Sequence, residues 1–424
     1  MSGQAPLVSD GRVCALILAG GLSSRMAPRF KPLLPLAGRT PLSWLAATFR
    51  AAGVTDITVV VGHRAEEAAD EAARLGLYTV YNPYFKTGMY SSIKAGLAVL
   101  PAEASRFFLT PVDVPLFRPA TVRRLLARAA EPDVPPALYP TFCGERGHPP
   151  LLSTAVIPAA LEYDGERGLR CTLENFPFEE IPVADGCILR DMDRPEDYAA
   201  LNALAGRLDI PTPAEAEALL AIKQVPLGGL QHARAVAAVG VALGRALNAA
   251  GAHLDIECIE SAALLHDVAK PCPDHEAAGG RWLASLGFDR AAAIVADHRD
   301  IDLPPDAPLG ERELVFLADK FVFGHWLVPV VARYQQKMDL YADDPEAVAA
   351  ITRRRDNARR ILDRVEKRLG TTAEAVIDAA GFRPGPPPEA AYETARRRFR
   401  NRGPKPARPA PADTPCTAAE GQGG

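Results

Sequence analysis

The sequence predicts two folds in tandem, an α/β unit built on a mostly parallel sheet followed by an all-α unit. Three observations predict this. Short apolar, β-branched runs alternate with amphipathic helical patterns over the first half. The strand signal stops near Pro213. A Pro-containing stretch, LDIPTP at residues 208–213, separates the two regimes. Strand–helix alternation is the mark of a sheet covered by helices.

In order along the chain, residues 13–18 (VCALIL), 57–61 (ITVVV), 78–81 and 107–109 read as strands. The first two are apolar at successive positions, which fits strands buried on both faces. Residues 41–52 and 89–100 carry helical patterns between them. Beyond Pro213, residues 231–249, 256–268 and 347–369 are Ala-, Leu-, Arg- and Glu-rich with helical periodicity. The expected organisation is an α/β unit over 12–206, a linker over 207–212, a helical unit over 213–382, and a disordered Pro-, Gly- and Arg-rich tail over 383–424.

Composition narrows the function classes. Hydrophobic residues make up 48% and charged residues 24% of 424 residues, ordinary for globular domains. A net charge of −4 gives no broad electrostatic reason to expect a nucleic-acid partner. Seven cysteines without a CxxC pair argue against a disulfide framework or zinc knuckle and fit a reducing compartment. The N-terminus has no basic-then-apolar leader pattern. The most apolar stretch, 314–331, is interrupted by Asp319, Lys320 and His325, which a membrane span rarely tolerates. The expected location is therefore cytoplasmic, with no membrane partner.

The first strand runs into LAGGLSSRM at residues 18–26. Leu18 and Ala19 end the strand. Gly20 and Gly21 let backbone N–H groups approach phosphate closely. Ser23 and Ser24 can donate hydroxyl hydrogen bonds, and Arg25 and Lys31 bring positive charge to a triphosphate. A glycine turn after a strand explains Gly20 and Gly21 alone. It does not explain the Ser-Ser-Arg-Met and the KPLL at residues 31–34.

These motifs resemble the MobA-like molybdenum cofactor nucleotidyltransferases, within the wider Rossmann-like nucleotidyltransferases, over nearly all of residues 12–206. The resemblance implies that NPYF at 82–85 and GMYSSI at 88–93 read the nucleotide base and present a helix N-terminus, with Asn82, Ser91 and Ser92 binding the NTP. It implies that PVDVP at 111–115 carries a Mg²⁺-binding Asp113, and that DMDRPED at 191–197 completes the site with Asp191 and Asp193. GERGHP at 144–149 and GERGLR at 165–170 resemble acceptor-side loops, with His148 as an acceptor-binding residue. Such a set performs nucleotidyl transfer with pyrophosphate as leaving group; Mg²⁺ neutralises charge, and Arg25, Lys31 and Asp113 are the implied catalytic residues. The AGG triplet resembles the guanylyl-using branch, while GHP and DMDRPED resemble the MocA-like cytidylyl-using branch, so CTP is favoured and GTP stays open. Ala27-Pro28 departs from the Gly that usually follows the Arg-Met pair.

The helical region holds His232, the pair His266 and Asp267 in ALLHDVAK, and Asp319 in LADK. Their order resembles the HD phosphohydrolase superfamily over about residues 213–340. Imidazole with carboxylate suits Mn²⁺, Fe²⁺ or Mg²⁺. His275 and His298 fall where the dinuclear branch places further ligands, implying one or two divalent cations. Lys270 is an implied catalytic residue, and Lys320 an implied phosphate contact. His253 and His325 match nothing in the family.

Together the motifs imply nucleotidyl transfer from an NTP to a phosphorylated acceptor resembling molybdopterin, fused to a metal-dependent phosphohydrolase. Molybdoenzyme maturation proteins are the implied protein partners. The alternative is nucleotidyl transfer to a sugar phosphate or other small metabolite, with the HD unit as a nucleotide sensor.

Overall fold

In the computed structural model the described residues are 11–26, 28–301, 304 and 307–382. The tail expected over 383–424 lies outside them. The chain divides into two compact units, with the break between Leu208 and Asp209.

The first unit contains β1 (Arg12–Leu18), α1 (Pro41–Ala51), β2 (Asp56–Val61), α2 (Ala65–Arg74), β3 (Tyr78–Tyr81), α3 (Met89–Leu97), β4 (Ala104–Pro111) and α4 (Pro119–Ala129). It continues with β5 (Ala137–Phe142), β6 (Glu145–Arg146), β7 (Leu151–Ser153), α5 (Ile157–Glu162), α6 (Gly168–Leu173), β8 (Phe178–Pro182) and α7 (Pro195–Ala205). Strand order is β3-β2-β1-β4-β7-β5-β6, with β8 on β5. β3, β2, β1 and β4 are mutually parallel. β7 runs antiparallel to both β4 and β5, so the sheet is mixed at this side. The expected strands are present, and the short β5–β7 segment adds antiparallel pairing that the sequence reading did not resolve.

β1 is buried on both faces. Ile17 packs with Phe49, Val59, Phe108 and Phe117 on one side. Leu16 and Leu18 pack with Val60, Ile93 and Phe107 on the other. The alternation follows from the two-residue period of a strand. Helix starts follow local punctuation. Thr40 caps α1 by accepting from Ser43 N–H at 3.1 Å, with Pro41 at the first helical position.

The second unit comprises α8 (Pro213–Ile222), α9 (Leu227–Ala249), α10 (Ile256–Leu265), α11 (His275–Ser285), α12 (Asp289–Asp297), α13 (Glu311–Phe321), α14 (Val330–Leu340), α15 (Pro345–Leu369) and α16 (Ala373–Ala379). A two-residue hairpin, β9 (Val322–Phe323) and β10 (Trp326–Leu327), interrupts an otherwise helical fold. Close helix crossings depend on small residues. A side chain at Gly240 or Gly244 of α9 would come within 2.9 Å of Ile259 on α10. At Gly280 of α11 it would meet the Ala292 carbonyl of α12 at 3.0 Å. These two crossings set the spacing of the histidines described below. α10 ends at Leu265, earlier than the periodicity suggests, so His266 and Asp267 sit on the turn after the helix.

Among the described residues no helix is long and apolar enough to cross a membrane.

Candidate functional sites

In the first unit, chain direction places the site. The connections from β1 and β4 leave adjacent strand ends, with β2 and β7 on their outer sides. Such a reversal in strand order opens a crevice at the carboxyl ends of a sheet. Leu18 and Val112 meet there, Val112 N–H donating to the Leu18 carbonyl at 3.0 Å.

The loop after β1 is pinned at its start. Ala19 N–H donates to the Val60 carbonyl at 2.8 Å, and His63 N–H to the Gly20 carbonyl at 3.2 Å. A Cβ at Gly20 would lie 3.1 Å from Ser92 Oγ, whereas Gly21 borders open space. Ser23 takes a left-handed conformation, φ 51°, and its Oγ accepts from Lys31 N–H at 3.3 Å. Ser24, Arg25 and Met26 form a short 3-10 turn between them. The loop thereby folds back and delivers Lys31 to the end of β4.

There the Lys31 ammonium donates to Asp113 Oδ2 at 2.9 Å and to Asp193 Oδ1 at 2.7 Å. The Arg25 guanidinium pairs with the other Asp193 oxygen. Met192 N–H donates to the Asp113 carbonyl at 3.0 Å, tying residues 191–193 to β4. Burial, then the charges of Asp193 and Asp113, push the Asp191 carboxyl above its ordinary value. Asp193 is held below its own by the hydrogen bond from Lys31. Burial would lower the Lys31 ammonium, but its bonds to Asp193 and Asp113 raise it. Two carboxylates on one ammonium, with the charge of Asp191 felt nearby, form an acidic group whose oxygens suit a hard divalent cation.

Asn82 is buried. Its amide donates to Ser91 Oγ at 2.8 Å and Ser92 Oγ at 3.0 Å, and its oxygen accepts from Tyr84 N–H at 2.9 Å. It therefore braces the first turn of α3, which Gly88 precedes at φ 111° with no side-chain cap. His148 lies close enough to Asp113 to feel its charge, but burial dominates and pushes the imidazole below its ordinary value. Its Nδ1 is buried without a hydrogen-bond partner among the described residues.

In the second unit, His232 (α9), His266 and Asp267 (after α10), His275 (α11), His298 (after α12) and Asp319 (α13) converge. His232 Nε2 lies 3.2 Å from His266 Nε2 and 3.3 Å from Asp319 Oδ1. Asp267 Oδ2 lies 3.3 Å from His266 Nε2 and 3.6 Å from His232 Nε2. The other oxygen, Oδ1, lies 3.2 Å from His275 Nε2 and 3.5 Å from His298 Nε2. Two groups of potential ligand atoms thus share one carboxylate.

The histidine tautomers follow from backbone carbonyls, which only accept. Nδ1 of His232 meets the Gly324 carbonyl at 2.8 Å, that of His266 meets Ala263 at 2.6 Å, and that of His298 meets Val295 at 2.7 Å. Each Nδ1 therefore carries the proton, and each Nε2 lone pair faces the cluster. Two lone pairs at 3.2 Å with carboxylates beside them repel unless a cation lies between, so this donor set fits a divalent metal. Burial pushes His266 below its ordinary value. Burial would raise Asp267 and Asp319, but His266 and its neighbours hold Asp267 well below the carboxylate range, and Lys320 and Arg333 do the same for Asp319.

Lys270 is mostly exposed and pairs with Asp267. Lys320 is buried and donates to Asp319 Oδ2 at 2.7 Å. Three groups escaped the sequence reading. The Gly324 carbonyl in the β9–β10 turn orients His232, and a backbone carbonyl has no sequence signature. Glu276, bonded to Arg299 at 2.9 Å, lies 3.5 Å from His275 Nδ1. Arg333 on α14 donates to Asp319 Oδ1 at 3.3 Å.

The molecule thus joins a nucleotidyltransferase-type α/β fold, with a Lys–carboxylate cluster at its strand ends, to a helical fold centred on a His–Asp cluster. Residues 15–180 match the MobA-like NTP transferase domain and residues 229–323 match the HD domain, so the chain carries both. The bifunctional IPC transferase and DIPP synthase of Rubrobacter xylanophilus is 40% identical over 119 residues, 27% of this chain and 26% of that protein. The nicotine blue oxidoreductase of Paenarthrobacter nicotinovorans is 29% identical over 196 residues, 45% of this chain and 96% of that protein. The chain therefore spans about a quarter of the first relative and nearly all of the second. Among solved structures, Rv0371c of Mycobacterium tuberculosis is similar over 46% of this chain and 100% of its own, at 25% identity and a TM-score of 0.40.

Proposed function

We propose that the first unit transfers a nucleotidyl group from an NTP, CTP favoured, to a phosphorylated small-molecule acceptor resembling molybdopterin. The observation that carries this reading is Lys31 bridging Asp113 and Asp193 in the strand-end crevice. Asp113, Asp191 and Asp193 would hold Mg²⁺, which would supply charge neutralisation for the triphosphate when bound. An oxygen of the acceptor attacks the α-phosphorus in line, and pyrophosphate leaves from the opposite side. Lys31 and Arg25, both ion-paired to Asp193, would follow the negative charge onto the departing pyrophosphate. Asn82 orients Ser91 and Ser92 beside Gly20 for the nucleotide. His148, with a buried Nδ1 that has no partner among the described residues, would contact the acceptor.

The second unit acts as a hydrolase of phosphate esters or anhydrides, in which His232, His266, Asp267, His275, His298 and Asp319 would hold one or two divalent cations. The cations supply an activated water and charge neutralisation when bound. Gly324, Ala263 and Val295 keep the histidines in the binding tautomer, and Lys270 and Lys320, each paired with an aspartate of the cluster, would contact substrate phosphate.

A second reading of the first unit keeps nucleotidyl transfer but gives it a non-pterin metabolite as acceptor; the likeness to the IPC transferase favours it. The deciding experiment is a thermal-shift series with CTP, GTP, UTP and ATP plus Mg²⁺, followed by pyrophosphate release with pterin and sugar-phosphate acceptors. A rise with one NTP and release with one acceptor class supports that class. No response to any NTP overturns nucleotidyl transfer and favours the likeness to the oxidoreductase.

A further inference from the structure

α14 runs beside the His–Asp cluster and carries three polar groups that the proposed hydrolysis does not use. Arg333 donates through Nη2 to Asp319 Oδ1, while its Nη1 is buried without a hydrogen-bond partner among the described residues. The Tyr334 hydroxyl is likewise unpartnered, on a side chain only 3% exposed. Lys337 lies one turn beyond Arg333, on the same helix face. Its side chain is mostly buried, with the ammonium within reach of the charges of Arg333, Lys320, Asp319 and Arg354. Among the described residues it has no hydrogen bond or ion pair. Arg354 itself is held by Asp300, as is Arg353.

Protein interiors satisfy nearly all such groups, so a cluster left open marks a place where something binds. Among the described residues the local excess is positive, which calls for an anion. Burial, then the charges of Arg333 and Lys320, lowers the Lys337 ammonium to about 7, a penalty that a bound anion would relieve. Arg333 is also in competition. Asp319 Oδ1 lies 3.3 Å from both its Nη2 and His232 Nε2. A cation taking that oxygen would release the guanidinium, whose planar fork suits a phosphate.

We propose that Arg333, Tyr334 and Lys337 form an anion subsite beside the metal-ligand cluster that holds a second phosphate group of the substrate. The second unit then takes compounds with two linked phosphates, such as nucleoside di- or triphosphates, in preference to simple monoesters. This deepens, and rests on, the hydrolase reading above.

The test uses the full chain carrying Arg25→Ala and Lys31→Ala, so that the first unit does not bind the probe, loaded with Mn²⁺. Calorimetry measures inorganic phosphate and pyrophosphate. Pyrophosphate is expected to bind about 10-fold or more tighter, since it gains charge-assisted bonds that phosphate at the metals cannot reach. Lys337→Ala and Arg333→Gln should each remove most of that preference without changing Mn²⁺ stoichiometry, and Lys337→Arg should keep it. Lys337→Ala should also melt no lower than its parent, because an unpaired buried charge is removed. Equal affinity for the two probes in the parent, or an undiminished preference in both variants, overturns the subsite. Hydrolysis assays on the unmodified chain separate the two ideas. Activity on monoesters and anhydrides alike, insensitive to Lys337→Ala, overturns the subsite and keeps the hydrolase. A chain that hydrolyses neither, yet keeps a Lys337-dependent preference for pyrophosphate, overturns the hydrolase and keeps the subsite.

Discussion

Replacing Asp267 by Asn keeps the size of the side chain and removes one unit of charge from the centre of the His–Asp cluster. Its two oxygens face different partners, Oδ2 toward His232 and His266 and Oδ1 toward His275 and His298. One substitution therefore weakens both metal groups, whereas His275→Gln touches one. Two unit charges about 4 Å apart interact by about 4 kcal/mol at an effective dielectric of about 20. The loss beside a divalent ion, after solvent compensation, should be about 3 kcal/mol or more, over 100-fold in affinity. Dialysis followed by elemental analysis should find two metal ions per chain in the native protein, one in His275→Gln and fewer than one in Asp267→Asn. Phosphoesterase activity should fall in parallel. Full metal content in Asp267→Asn would refute the shared-carboxylate arrangement. Equal losses in His275→Gln and Asp267→Asn would refute the separation into two groups.

Asp113→Asn should leave the melting temperature within a few degrees of native while NTP turnover drops by orders of magnitude, because the carboxylate sits in a polar crevice and carries no core packing; full turnover would remove Asp113 from the metal site. Phe49→Ala should behave oppositely. Phe49 is fully buried against Phe108 and Phe117, so the change should cost about 3–5 kcal/mol, read as a lowered denaturation midpoint. His266 and His148 are pushed below 6.5 by burial. Between that depressed value and 6.5 the unfolded chain binds more protons than the folded one, so stability rises with pH across this window. The metal-free protein should lose melting temperature on acidification from pH about 7 to about 5, mostly below the unfolded histidine value; a rise would contradict the burial of neutral imidazoles.

The α/β and helical character of the two halves could be read from the sequence because it is local. VCALIL is apolar at every position, which fits a strand covered on both sides, and Leu16 and Ile17 do face opposite cores. The antiparallel strands β6 and β7 were not legible, because two- and three-residue strands carry no periodicity. The end of α10 was also misjudged. Hydrophobic periodicity continues through Val268, but the chain leaves the helix at Leu265. Val268 is still buried, so the apolar signal reported burial and not helix.

Residue types and their order determined which side chains are chemically able to form each cluster: Arg, Lys and three Asp in one half, four His and two Asp in the other. What the tertiary structure alone decided is how those groups are shared. Lys31 and Asp193 stand 162 positions apart and meet because the loop after β1 folds back over the end of β4. Asp267 divides its oxygens between two histidine pairs because α9 crosses α10, and α11 crosses α12, at glycines that let the backbones approach. The Gly324 carbonyl and the open polar groups of α14 acquire meaning only from their neighbours. A sequence pattern records the period and chemistry of one segment, while an electrostatic site is defined by distances between segments, and those are set by packing.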